Sequence, residues 1–276
     1  MPCPAPTYRA SSAQRRLAIT AGLAAALILG ACADTPKDPT QAMSVDKLYE
    51  EARSEMAIGA YDKAAKLFER MEGRAAGTVM AQQAQLEQAY ALYKSGEKAQ
   101  ALAVIERFMK LHPTSPAADY AYYLQGLLNF NDDLGLFGRV ASIDLSERDQ
   151  QASRDAFQSF KQLVDQFPES KYAGDAKLRM RYIINALAAY EVHVARYYFK
   201  RGAYVAAANR AQQTVQDFRS APAVEEALYL MVASYEQLGL EQLRDDARRV
   251  LVQNFPNSAL LDKGYGTSGK SWWKFF

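Results

Sequence analysis

The chain has 276 residues, one or two ordinary domains by length, and its 33 Lys and Arg against 31 Asp and Glu give a net charge of +2. Residues 1–31 hold three of the arginines and no acid, so the remainder carries 30 basic against 31 acidic side chains. That balance excludes non-specific phosphate binding as the main activity and predicts no nucleic-acid partner. Hydrophobic residues at 49% suffice for a core, and sparse Gly and Pro beside abundant Ala, Leu, Gln, Glu and Arg favour helices over strands.

Arg9, Arg15 and Arg16 precede an uncharged apolar run over residues 17–29, the layout of a secretory signal peptide. The run is 13 residues, short of the ~20 that a spanning helix needs. It ends in Leu29-Gly30-Ala31-Cys32, which resembles the bacterial lipobox. That resemblance implies cleavage before Cys32 and acylation of this cysteine, with Ala33 favouring outer-membrane sorting. The competing reading is a plain signal peptide with an incidental cysteine, but Cys32 is the only cysteine after the leader. Cys3 and Cys32 allow neither a disulfide framework nor a Cys-rich metal site. Residues 32–44, with Pro36 and Pro39 and no apolar period, read as a lipidated cysteine and flexible tether.

From Val45 the pattern is helix-turn-helix, and it repeats. Gly59, Tyr61, Ala64 and Phe68 set one register; Gly96, Ala101, Ile105 and Pro113 set a second. Gly202, Tyr204, Ala207 and Ala211 set another, and Gly239 with Pro256 the last, where Arg244 and Arg248 fill the expected small and apolar positions. A second marker recurs as His112-Pro113-Thr114-Ser115, Phe167-Pro168-Glu169-Ser170 and Phe255-Pro256-Asn257-Ser258, with a degenerate Phe218-Arg219-Ser220. The four glycines are expected to reverse the chain at helix C-termini with positive φ, the alanines to let helices approach, and Phe68 and Leu163 to fill the space alongside. Each proline should end a second helix, and each following serine should N-cap the next, with Pro116 at a first helical position. A generic helical bundle would use similar caps. Recurrence at matching offsets predicts instead an all-α, tetratricopeptide-like solenoid of about five helix-turn-helix units, the third and fourth elongated. The boundaries are 45–168 for units 1–3 and 169–261 for units 4–5, followed by a flexible aromatic tail at 262–276.

The third unit opens with a helix over residues 117–130, then carries an insertion over 131–150 with Gly135, Gly138, Leu136, Phe137 and Val140. Long loops in compact arrays are more often functional than accidental. The fourth unit opens with a long helix over residues 172–201.

Chemistry-bearing motifs are sparse, and no enzyme activity is expected. His112 and His193 have no second ligand at metal spacing, so neither metal nor cofactor is predicted. Gly264, Gly269, Lys270 and Ser271 fit the phosphate-binding loop pattern, but no strand precedes them and only five residues follow. What remains is a binding surface. Tyr49, Tyr90, Tyr93, Tyr120, Tyr123 and Phe130 fall at groove-facing positions of the first three units and form a candidate ligand groove. The competing reading is that individual rings pack between helices.

Three stretches carry a more specific likeness: DYAYYLQGL at 119–127, SERDQQASRDAFQSFKQLVDQFPESKYAGDAK at 146–177, and YEVHVARYYFKRGAYVAAANR at 190–210. With the lipobox, they make the chain resemble the BamD family, the ComL-like tetratricopeptide lipoproteins of outer-membrane protein assembly. The resemblance covers the mature chain up to about Leu261. It implies a scaffold lipid-anchored to the periplasmic face of the outer membrane. Its partners would be a BamA-like barrel insertase, accessory assembly lipoproteins and the aromatic-ended targeting segments of unfolded β-barrel proteins. By the same resemblance the N-terminal units receive those segments and the C-terminal units dock the insertase. Arg201 and Arg210 match family arginines at the dock, with Tyr204 beside them; an intramolecular salt bridge is the alternative role for Arg210. The family often has an aromatic, proline-rich segment between units 1 and 2, where this chain has Arg74-Ala-Ala-Gly-Thr-Val-Met80. Another periplasmic scaffold in envelope maintenance, cell division or DNA uptake is the alternative function.

Overall fold

The computed structural model describes residues 39–130 and 147–263. The signal peptide, Cys32, most of the third-unit insertion and the tail with its phosphate-loop match lie outside the described residues. Among the described residues are eleven α-helices and no strand. Ten of the helices form five consecutive hairpins: α1 (Val45–Ala57) with α2 (Tyr61–Arg74), α3 (Val79–Ser95) with α4 (Lys98–Leu111), α5 (Ala118–Asn129) with α6 (Glu147–Gln166), α7 (Ala173–Lys200) with α8 (Tyr204–Asp217), and α9 (Val224–Gln237) with α10 (Glu241–Asn254). A short α11 (Ala259–Lys263) packs on α9. Each helix packs chiefly on its neighbours in the chain, as a tetratricopeptide-like solenoid requires. None of the described helices is long and apolar enough to cross a membrane.

The hairpin glycines behave as their spacing predicts. Gly59, Gly96, Gly202 and Gly239 have φ of 80°, 87°, 75° and 69°, where a side chain would strain the backbone. Phe68 and Leu163 are fully buried. Helix α6 begins at Glu147, so it takes up the last four residues of the segment read as an insertion.

The turns between units depart from expectation in an informative way. Ser115 and Ser170 do not N-cap α5 and α7, because an extra turn separates each from its helix, whereas Ser258 directly precedes Ala259 and N-caps α11 as expected. All three hydroxyls accept from the backbone N–H two residues on, at 3.4 Å, 3.2 Å and 3.3 Å. Pro116 therefore stands in that turn, and α5 starts at Ala118. The hydroxyls of Ser115 and Ser170 also reach back to the first helix of the preceding unit, donating to Gln82 at 2.9 Å and to Asp119 at 2.6 Å. The serines thus tie unit to unit. In the fourth turn Ala221, not Ser220, occupies the serine position, because its N–H bonds to the Phe218 carbonyl as Ser115 bonds to that of His112. Residues 75–78 make the corresponding carbonyl–amide bond between units 1 and 2, with Ala75 in the aromatic position, but Gly77 at φ 80° gives this turn a different backbone. There Thr78 is a true N-cap, accepting from Ala81 at 3.3 Å.

Ahead of α1, a 3₁₀ turn at Pro39–Ala42 lies against α2. Arg74 donates to the carbonyls of Thr40, at 2.7 Å, and Met43, and Arg70 donates to the Thr40 hydroxyl at 2.8 Å. The segment read as tether is therefore held to the first unit from Thr40 onward.

Two main cores divide the array. One joins α1–α4 to the inner side of α5, with Phe68, Met71, Ile105, Phe108 and Leu124 fully buried. The other gathers Phe160 and Leu163 of α6, Ile183 of α7, and residues of α9 and α10, and Leu127 packs against both. At the crossing of α5 and α6, Gly126 lies so close to Phe160 that a Cβ would stand 2.4 Å from the ring.

Candidate binding faces

The first helices of successive units bring their polar and aromatic side chains together. Tyr49 of α1 accepts from Gln83 of α3 at 3.1 Å, and its ring lies 6.3 Å from buried Phe68. One turn on, Arg53 and Glu87 approach to 3.7 Å. Burial pushes the Glu87 carboxyl above its ordinary value, and Arg53, itself well exposed, offsets this only in part. Tyr90 and Tyr93 pair at 6.3 Å between centroids, half-buried at the edge of the first core. Tyr120 of α5 is close enough to Glu87, Tyr90, Tyr123 and Tyr172 to feel their charges. With burial as the larger cause, they push its phenol well above the ordinary range.

Tyr123 and Phe130 turn toward the fourth unit. Tyr123 stacks on Tyr172 at 4.7 Å with planes 18° apart, and donates its hydroxyl to Asp175 at 2.8 Å. Arg179 donates to the same carboxylate oxygen at 2.6 Å and lies over the Phe130 ring at 4.9 Å. Burial raises the Asp175 pKa, but these hydrogen bonds outweigh it and hold the group below its ordinary value. Phe130 also meets Phe160 edge-on at 6.3 Å and Tyr182 at 5.7 Å. The six expected rings therefore share one run of first helices. Tyr49, Tyr90, Tyr93 and Tyr120 belong to the first core, whereas Tyr123 and Phe130 pack against the second.

Sequence reasoning missed Tyr172, Asp175 and Arg179, which complete the row in unit 4. No repeat offset marks them: Tyr172 follows Ser170 by two residues, where the preceding unit has Ala117 after Ser115. Beside the row, an open cavity of about 460 Å³ lies between α3 and the α4–α5 turn. Val79, Leu86, Leu111, Pro113 and Pro116 supply its apolar wall, and Glu87 and Tyr120 border it. His112 lines it too, with its ring 5.4 Å from Phe108. No group of three His, Cys, Asp or Glu among the described residues could hold a metal.

The second candidate face surrounds the α7–α8 hairpin. Exposed Arg201 lies 5.2 Å over the ring of Tyr197, and half-buried Tyr204 packs edge-on against Phe199 at 5.4 Å. Arg210 stands six residues further along α8, roughly 9 Å up the axis. It donates to Glu191 of α7 at 2.9 Å; the Glu191 side chain is 5% exposed and that of Arg210 42%. The intramolecular salt bridge therefore exists, and part of the guanidinium still faces solvent.

A family model described as YfiO, outer membrane lipoprotein, matches residues 41–251. The chain belongs to this family. It is 46% identical over 265 residues to the outer membrane protein assembly factor BamD of Neisseria meningitidis serogroup A, covering 94% of this chain and 98% of that one. BamD of Xylella fastidiosa is 37% identical over 249 residues, covering 90% and 83% of the two chains, and BamD of Haemophilus influenzae is 36% identical over 230 residues, covering 83% and 87%. The likeness drawn from the three sequence stretches is thereby confirmed across nearly the whole length.

Proposed function

We propose that the chain is a non-enzymatic scaffold of outer-membrane protein assembly. It is anchored through acylated Cys32 to the periplasmic face of the outer membrane, it holds unfolded β-barrel segments, and it docks the barrel insertase together with accessory lipoproteins. The relatives named as assembly factors support the general role. The observation that carries the client-binding part is the row of tyrosines and polar partners along α1, α3, α5 and the start of α7, beside an open apolar cavity. Rigid rings give apolar contact at low entropic cost, and Gln83, Glu87 and the phenols can meet the polar groups of an extended backbone. Ordering an unfolded segment offsets much of that contact energy, so capture is weak and a client can be passed onward. Arg201, Tyr204 and the exposed half of Arg210 are the insertase-facing groups, suited to carboxylates and aromatic faces.

The test uses a peptide ending in Phe and a control without the terminal aromatic. Tyr90→Ala with Tyr93→Ala should cut crosslinking to the first peptide several-fold and leave helicity by circular dichroism unchanged. Equal crosslinking of both peptides, or capture unaffected by the double substitution, refutes the client-binding assignment.

A further inference from the structure

The tail at residues 264–276 is left unused by this reading, and its composition is unusual. Four of its last five residues are Trp272, Trp273, Phe275 and Phe276, its only charged side chains are Lys270 and Lys274, and a Gly- and Ser-rich stretch precedes them. The described residues contain a surface of complementary chemistry. The second helices of the five units end in Arg74, Leu111, Gln166, Asp217 and Asn254, so unit 2 alone ends on an apolar side chain. Leu111 is 60% exposed and Val79, across the cavity, 77% exposed. The cavity volume is within the ~300–1,000 Å³ of small-ligand clefts, room enough for aromatic rings. Glu87, at its border, has only the loose 3.7 Å approach of Arg53 to offset its charge.

We propose that the chain's own C-terminal tail occupies the cavity between α3 and the α4–α5 turn. Its tryptophans lie against Val79, Leu86, Leu111 and Pro113, and Lys274 pairs with Glu87. The occupant follows from length and charge. Helix α11 packs on α9, α9 on α7, and the start of α7 meets α5, so at about 8–10 Å per step the α3–α5 gap lies on the order of 30 Å from α11. Nine extended residues from Lys263 to Trp272 reach about 30–32 Å, so the spacer is just long enough to deliver the rings. The tail carries cations and no acidic side chain, and the cavity border carries an under-neutralised carboxylate. This inference rests on the reading of that face as a receptor for aromatic-ended chains: an arriving client must displace the tail, which sets a threshold for capture.

Trp272 and Trp273 are the only tryptophans in the protein, so intrinsic fluorescence reports on the tail alone. The full mature chain carrying Cys32→Ser, in buffer without detergent, should show blue-shifted emission and several-fold slower acrylamide quenching than a free peptide of residues 264–276. Leu111→Asp, an exposed position that the fold tolerates, and Glu87→Lys should each restore the free-peptide values. Deleting residues 264–269 should do the same, because the rings then fall short of the cavity. Emission and quenching equal to the free peptide, or protection that survives all three changes, overturn the proposal. Protection lost on hundredfold dilution also overturns it by assigning a second copy, as does protection that appears only with phospholipid vesicles, by assigning the membrane surface. Crosslinking of a Trp-free, Phe-ended peptide to a chain ending at Lys263 tests the client reading separately. Capture there supports that reading whatever the tail does, and no capture sinks it while the fluorescence still decides the tail.

Discussion

Replacing Arg210 with Ala tests its structural role, because the structure assigns it an internal partner. Glu191 is almost fully buried in α7, and the Arg210 guanidinium meets it at 2.9 Å from α8. Removing one partner of a fully buried pair costs about 3–5 kcal/mol, since it leaves an uncompensated charge. Here Arg210 is 42% exposed, so water screens the pair and reaches its rim. The cost falls to roughly 1–3 kcal/mol. At about 2–4 °C per kcal/mol for a chain of this size, Arg210→Ala should lower the melting temperature by about 2–12 °C. Thermal denaturation followed by circular dichroism measures this. A Glu191→Gln, Arg210→Met chain, which removes both charges, should recover most of the loss. Co-purification of the insertase should still fall in that double variant, because the outward half of the guanidinium is gone. A melting temperature for Arg210→Ala within about 1 °C of the parent refutes the stabilising role derived from the geometry.

Two other substitutions test the packing within unit 3 and the link between units 3 and 4. Gly126→Ala places a methyl group 2.4 Å from the Phe160 ring, so overpacking should cost about 1–3 kcal/mol, and adding Phe160→Leu should restore part of it in the same melting assay; an unchanged melting temperature refutes the tight crossing. Asp175 has a folded pKa below its ordinary 3.8. The stability it contributes is therefore present above that value and lost as pH falls through the folded pKa. Asp175→Asn should flatten the acid limb of the melting profile below about pH 4, and an identical limb in both chains refutes the link across the third and fourth units.

The features legible in the sequence were those tied to backbone geometry and period. Gly59, Gly96, Gly202 and Gly239 could be placed because a reversing chain needs a positive φ that only glycine adopts cheaply, and all four have it. Phe68 and Leu163 could be placed because a helical period fixes which side faces its partner. At Ser115 and Ser170 an N-cap and an extra turn before the helix share a sequence pattern; only the start of the helix, three residues on in both, tells them apart. The turn at residues 75–78 was hidden because Ala75 and Thr78 replace the aromatic and serine of the other turns, although the carbonyl–amide bond across it is the same. Gly126 carried no signal in isolation. Its necessity comes from Phe160, 34 residues away across an insertion, and single-sequence periodicity does not register two helices against each other.

That same limit governs the aromatic row. Helical spacing predicts that Tyr120, Tyr123 and Phe130 lie near a first-helix face. It does not predict that unit 4 supplies Tyr172, Asp175 and Arg179 to engage them. Tyr123 spends its hydroxyl on Asp175 and its ring on Tyr172, and Phe130 is held by Phe160, Tyr182 and Arg179. Truncating either removes contacts between consecutive units, so a loss of ligand capture there follows from altered packing as readily as from a lost contact. Tyr90 and Tyr93 differ in kind. They pair with each other at the rim of the first core, and the seam between units 3 and 4 is built without them. A binding defect at Tyr90 and Tyr93 in a protein of unchanged stability thus identifies contact with the client. The same defect at Tyr123 or Phe130 counts only once the array's stability has been shown to hold.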